Sequence, residues 1–191
     1  MKEARPSSST SGKSTGYIAF LRGINLGGHK QVKMQDLKRV FESMGFENVK
    51  TVLNSGNVLF EARQSTPGNL VRRIEEKLKE AFDHEIAVIL RTMVEIRDLV
   101  DSNPFRKVNV TPDTMLYVTF LSQELRTGLR VSQESPTSDF KILSVRPGEV
   151  ISVVIRNAGR GTTEAMGKIE KEFGKRVTTR NWNTVNRILK T

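Results

Sequence analysis

The run Tyr17-Ile-Ala-Phe-Leu21 is apolar at every position and passes directly into Arg-Gly-Ile-Asn-Leu-Gly-Gly, residues 22–28. A strand with one wet face alternates apolar and polar side chains, so an unbroken run of this length suits a central strand covered on both faces. Two covers are therefore required from the rest of the chain. The paired glycines read either as a loop that lets backbone approach a ligand or as a plain flexible connection after a strand.

Downstream, Met34, Leu37, Val40, Phe41 and Met44 recur at helical spacing and Gly45 follows, where a left-handed helix end is usual. Val49 to Leu53 and Val58 to Ala62 read as strands joined by the hairpin turn Asn54-Ser55-Gly56-Asn57. Thr66 and Pro67 open a second helix with Leu70, Ile74, Leu78, Ala81 and Phe82 as its buried stripe, and Ile86 to Leu90 makes a fourth strand. Strand, helix, strand, strand, helix, strand is the order of the split βαβ, or ferredoxin-like, plait.

Thr92 and Glu95 have capping-box spacing and predict a linking helix that Asn103-Pro104 ends. A second round follows. Met115 to Leu121 is a strand, Ser122 to about Val131 a poor helix, and Phe140–Val145 with Val150–Ile155 a hairpin across Pro147-Gly148. Ala165, Met166, Ile169 and Phe173 mark a helix ended by Gly174. Arg176 to Thr179 is a short strand, and Trp182, Val185, Ile188 and Leu189 stripe the last helix. The expected architecture is α+β, with two tandem ferredoxin-like subdomains at 16–91 and 111–191, joined by a helix and loop at 92–110 and preceded by a disordered tail at 1–15.

The tail is rich in Ser and Thr and lacks an apolar run, and no later stretch reaches the ~18 apolar residues a membrane span needs. With no Cys in 191 residues, thiolate chemistry is excluded, and with two distant His residues no dedicated metal site is expected. Nothing in the chain calls for a cofactor. The formal charge of +10 is concentrated late: Arg156 to Lys190 holds nine basic side chains against three acidic ones. Such a surface attracts polyanions, or simply keeps the protein solvated.

Plait topology places the end of the first strand beside the turn between the second and third. That brings Arg22, Asn25, Gly27 and Gly28 next to Asn54, Ser55, Gly56 and Asn57. These residues supply amide donors and acceptors, glycines for close approach and one guanidinium fork, although each Asn and Gly also suits a tight turn. The same geometry in the second subdomain predicts that Arg156, Asn157, Gly159 and Arg160 meet Arg180, Asn181 and Asn183 near two helix N-termini, a setting that stabilises an anion. Trp182 reads as a core anchor.

The three blocks RGINLGG, LNSGNVLF and TTRNWNTVNRIL together resemble the bacterial family known as domain of unknown function 1697, from about Tyr17 to the C-terminus. The resemblance implies a pair of ferredoxin-like subdomains and a cytoplasmic protein. It brings no established activity. Family positions carry over to Arg22, Gly23, Asn25, Gly27, Gly28, Ser55, Gly56, Asn57 and to Arg180 through Thr184, whereas Thr162-Thr163 stands where members often have Ser-Lys.

The functional expectation is a protein that binds a phosphorylated small molecule or nucleic acid through these Arg, Asn and Gly loops. The alternatives are an enzyme on a small anionic substrate, for which only His29 stands near a cluster, and a regulatory partner-binding protein. Tyr17, Phe20 and Phe60 sit in apolar runs rather than in an RNP pattern, so base stacking on the sheet is not expected.

Overall fold

The computed structural model describes residues 14–26, 31–63, 65–122, 140–156 and 162–191. The first subdomain consists of β1 (Ser14–Leu21), α1 (Met34–Ser43), β2 (Glu47–Val52), β3 (Asn57–Arg63), α2 (Pro67–Phe82) and β4 (Val88–Thr92). After α3 (Met93–Asp101), the second consists of β5 (Thr114–Leu121), β6 (Phe140–Arg146), β7 (Glu149–Ile155), α4 (Thr162–Phe173) and β8 (Val177–Asn181), and α5 (Trp182–Leu189) closes the chain. The sheets run β2-β3-β1-β4 and β6-β7-β5-β8, antiparallel throughout, which is the plait order in both halves. Of the residues expected as a poor helix, Ser122 to about Val131, all but Ser122 lie outside the described chain.

Ser14 and Thr15, expected in the tail, instead pair with Arg63 and Ala62 as the first residues of β1. The linking helix follows its expectation closely. Thr92 Oγ1 accepts from the Glu95 N–H at 3.1 Å while Glu95 Oε2 accepts from the Thr92 N–H at 2.8 Å, so two donors of the first turn are satisfied reciprocally.

The uninterrupted apolar run of β1 now has its explanation. Tyr17, Ala19 and Leu21 face α1 and α2, together with Phe41, Phe60, Leu70 and Ile74. Ile18 and Phe20 face the other way, into a core shared with Val118, Phe120, Ile151 and Val153 of the second sheet and with Ile96, Leu99, Val185 and Ile188 of α3 and α5. The two sheets thus pack face to face, with Phe20 stacked on Phe120 at 4.2 Å between ring centroids. Tyr117, Leu121, Phe140, Ile169 and Phe173 form the outer core of the second half. Among the described residues no helix is long and apolar enough to cross a membrane.

Candidate functional site

The loop cluster of the first subdomain assembles as the topology requires, but the amides of Asn25 and Asn57 are turned inward. The Leu21 N–H donates to Gly56 O at 2.8 Å, which joins the end of β1 to the β2–β3 turn. Asn25, with φ 56°, donates through Nδ2 to Asn54 O at 2.8 Å and to Val32 O at 3.0 Å, and its Oδ1 accepts from the Val32 N–H at 2.8 Å. One amide therefore staples two loops. Asn57 is fully buried and donates to Val52 O at 2.7 Å and to Ser55 Oγ at 3.0 Å. Arg22, half-buried, pairs with Glu170 of α4 at 2.7 Å. Asn54 and Ser55 are exposed, and Gly27 and Gly28 lie outside the described residues.

Arg180 does not join Arg156. It crosses to the first subdomain, where Nε donates to Asn57 Oδ1 at 2.6 Å and Nη2 to Leu21 O at 2.8 Å and Ser55 O at 3.0 Å. Nη1 donates to Thr178 Oγ1 at 2.7 Å and to its neighbour Thr179 O at 3.0 Å, so the five N–H groups of the guanidinium all meet protein acceptors. With no carboxylate among these partners, burial pulls its pKa down to about 10.

Arg91 makes the reciprocal crossing. Its Nη2 donates to Leu121 O at 2.8 Å and Gly148 O at 2.6 Å, and its Nε pairs with Glu149 at 3.0 Å. Each arginine also lies over the phenylalanine of the opposite central strand, Arg91 on Phe120 and Arg180 on Phe20. The two halves thus exchange arginines across an internal two-fold relation, and Asn57 occupies the place that Glu149 holds in the other half. Both residues latch the sheets together.

Of the second expected cluster only part is described, since residues 157–161 lie outside the described chain. Arg156 is exposed, with its main-chain N–H on Asp113 O at 2.9 Å, and Arg160 lies outside the described residues. Asn181 caps α5 by accepting from the Asn183 N–H at 2.9 Å, while Asn183 itself is exposed. Trp182 is partly buried and meets Phe105 edge-on at 5.1 Å. The anchoring role read from the sequence holds.

A cleft that the loop reasoning missed opens where α2, β4 and the entry to β8 converge. It measures about 280 Å³ and is lined by Arg72, Glu75, Leu90, Arg91, Ser122 and Arg176, among others. Arg72 is exposed on α2 with no ion pair among the described residues, and Arg176 stands 3.9 Å from Glu75 Oε2. Glu75 Oε1 accepts from the Val88 N–H at 2.8 Å. Ser122 Oγ is buried with no hydrogen-bond partner among the described residues. A second hollow of about 270 Å³ continues past Glu75 and Arg176 to Lys79 and Glu85. Sequence reasoning could have flagged Arg72 and Arg176 only as members of basic runs, because nothing local tells that a helix and a distant strand entry share a wall.

Two plaits with their open sheet faces pressed together, and a basic cleft at the seam, define the class of protein. The chain belongs to the family described as protein of unknown function DUF1697, whose model matches residues 15–150. The block from Thr178 to Leu189 lies beyond that match, although it was expected to share the resemblance. The same fold is seen in the structure of conserved bacterial protein SP0830 from Streptococcus pneumoniae, with a TM-score of 0.68 and 21% identity over 93% of this chain and 98% of that one. Among curated proteins nothing matches.

Proposed function

We propose that the protein binds a small anionic ligand and that the cleft between α2, β4 and β8 is its seat, in place of the Arg, Asn and Gly loops. The supporting observation is that Arg72 and Arg176, the latter beside Glu75, line one wall with a buried hydroxyl, Ser122 Oγ, that has no hydrogen-bond partner among the described residues. A hydroxyl held out of water without a hydrogen bond costs ~1–3 kcal/mol, and a ligand oxygen would relieve that cost. Guanidinium forks suit phosphate or carboxylate. Glu75 is the acid in this wall, and its Oε1 is occupied by the Val88 N–H.

The polynucleotide reading is the weaker one. In a plait that binds single strands, bases stack on the sheet face opposite the helices, and here that face is buried against the other sheet. The compartment we propose is the cytoplasm, which the family resemblance implies and with which a chain free of cysteine is compatible.

Thermal unfolding in low salt tests the proposal. Inorganic phosphate should raise Tm by mass action on the folded state, and the Arg72→Ala/Arg176→Ala double variant should lose the rise. A single small anion should lose little affinity at moderate salt, whereas a polyanion should lose it steeply. An unchanged Tm at millimolar phosphate, or a rise that survives in the double variant, defeats the assignment.

A further inference from the structure

We infer that the ligand of this cleft is a mononucleotide, its base read by the open edge of β4 and its phosphate held by Arg72 and Arg176; the inference rests on the cleft being the binding seat. Main-chain groups of a strand point alternately to its two sides. Ala87 O accepts from the Arg22 N–H at 2.9 Å, and Ile89 and Arg91 stand opposite Phe20 and Ile18, so these residues face β1. Val88 and Leu90 consequently turn their main-chain groups to the other side, where both residues line the cleft.

Among the described residues, partners are seen for two of those four groups. The Val88 N–H donates to Glu75 Oε1 at 2.8 Å, and Leu90 O accepts from Arg91 Nη1 at 2.8 Å. The inner two, Val88 C=O and Leu90 N–H, form an acceptor and a donor side by side, within residues that are each 4% exposed. Main-chain groups so placed need a partner. A donor next to an acceptor, spaced along one edge, matches the pairing edge of a nucleobase, where an N–H adjoins a ring nitrogen or carbonyl oxygen. Val71 adds apolar wall for a flat ring, and Gly68 leaves open space where a Cβ would stand.

The phosphate end follows from the same wall. Arg72 presents one fork, Arg176 brings a second guanidinium that also stands 3.9 Å from Glu75 Oε2, and the Ser122 hydroxyl adds a neutral donor. A volume of about 280 Å³ is at the small end of ligand sites, which favours one nucleotide over a chain of them.

Titration of the ¹⁵N-labelled protein with each of the four ribonucleoside monophosphates, with adenosine and with inorganic phosphate separates the two claims. At least one monophosphate should bind about tenfold or more tightly than phosphate, which is the signature of contacts beyond the anion. That monophosphate should shift the Leu90 amide resonance, and phosphate should not. In Arg72→Ala/Arg176→Ala the nucleotide should fall to the affinity of the bare nucleoside while the Leu90 shift persists. If phosphate binds but no monophosphate binds more tightly, the nucleotide reading fails and the anion site stands. If nucleotides perturb the loop at Leu53–Gly56 instead of Leu90, the inference is wrong in place. If nothing binds, both readings fall.

Discussion

Replacing Arg180 by Met keeps much of the side-chain volume and removes every donor of the latch. Leu21 O, Ser55 O and Asn57 Oδ1 each lose a charged donor in the interior, at ~1–3 kcal/mol per orphaned acceptor. Against this stands the relief of a buried charge. A guanidinium pulled down to about 10 opposes folding by roughly 3 kcal/mol at every pH well below that value. The sign is that of a group losing protons on folding: the unfolded chain holds the proton more tightly, so this term lessens only as pH rises past 10. The balance is a net loss of ~2–4 kcal/mol for Arg180→Met at neutral pH. Arg91→Met should cost more, ~3–5 kcal/mol, because it strands the Glu149 carboxylate at 13% exposure, whereas Asn57 is neutral. Urea unfolding monitored by fluorescence of the single tryptophan gives both values, and an Arg180–Asn57 double-mutant cycle should show coupling of ~1 kcal/mol or more. A loss below ~1 kcal/mol for Arg180→Met, or an order with Arg180 above Arg91, would refute the exchanged-latch account.

Gly56→Ala should destabilise by ~2–4 kcal/mol, because φ is +74° and a Cβ would stand 2.7 Å from Ile24 Cδ1 and 2.9 Å from Leu21 Cβ; an unchanged urea midpoint would mean that the turn relaxes. Trp182→Ala should cost ~2–3 kcal/mol, less than a fully buried aromatic, since the ring is only partly covered; calorimetric unfolding decides, and a loss near zero would place the ring in solvent.

The order of elements was legible because apolar periodicity and turn chemistry agree along most of the chain. Where they missed, an interface had overridden local polarity. β4 was expected at Ile86–Leu90 and runs Val88–Thr92, since Arg91 reads as a strand end but is 1% exposed between the sheets. β8 was expected to stop at Thr179 and continues to Asn181 for the same reason at Arg180. The meeting of the Asn25 loop with the Asn54 turn followed from topology alone. That the Asn25 and Asn57 side chains would be used up on partners within the protein did not, because a turn amide and a ligand-binding amide are the same residue type. Arg180 was assigned to the wrong partner loops, since only the face-to-face docking of the sheets sends it toward Asn57.

The exchanged arginines bear on how this chain can be divided. Each half ends in a strand whose guanidinium is the missing donor for the other half's hairpin turn, so a half made alone would keep a cation without acceptors and a turn without a donor. Fragments produced by opening the link after α3 should accordingly complement each other in trans. Mixed together, they have the makings of a split reporter whose reassembly restores both latches at once, while neither piece has a reason to pair with itself as well as with its mate, because Asn57 and Glu149 offer different acceptors to the two arginines.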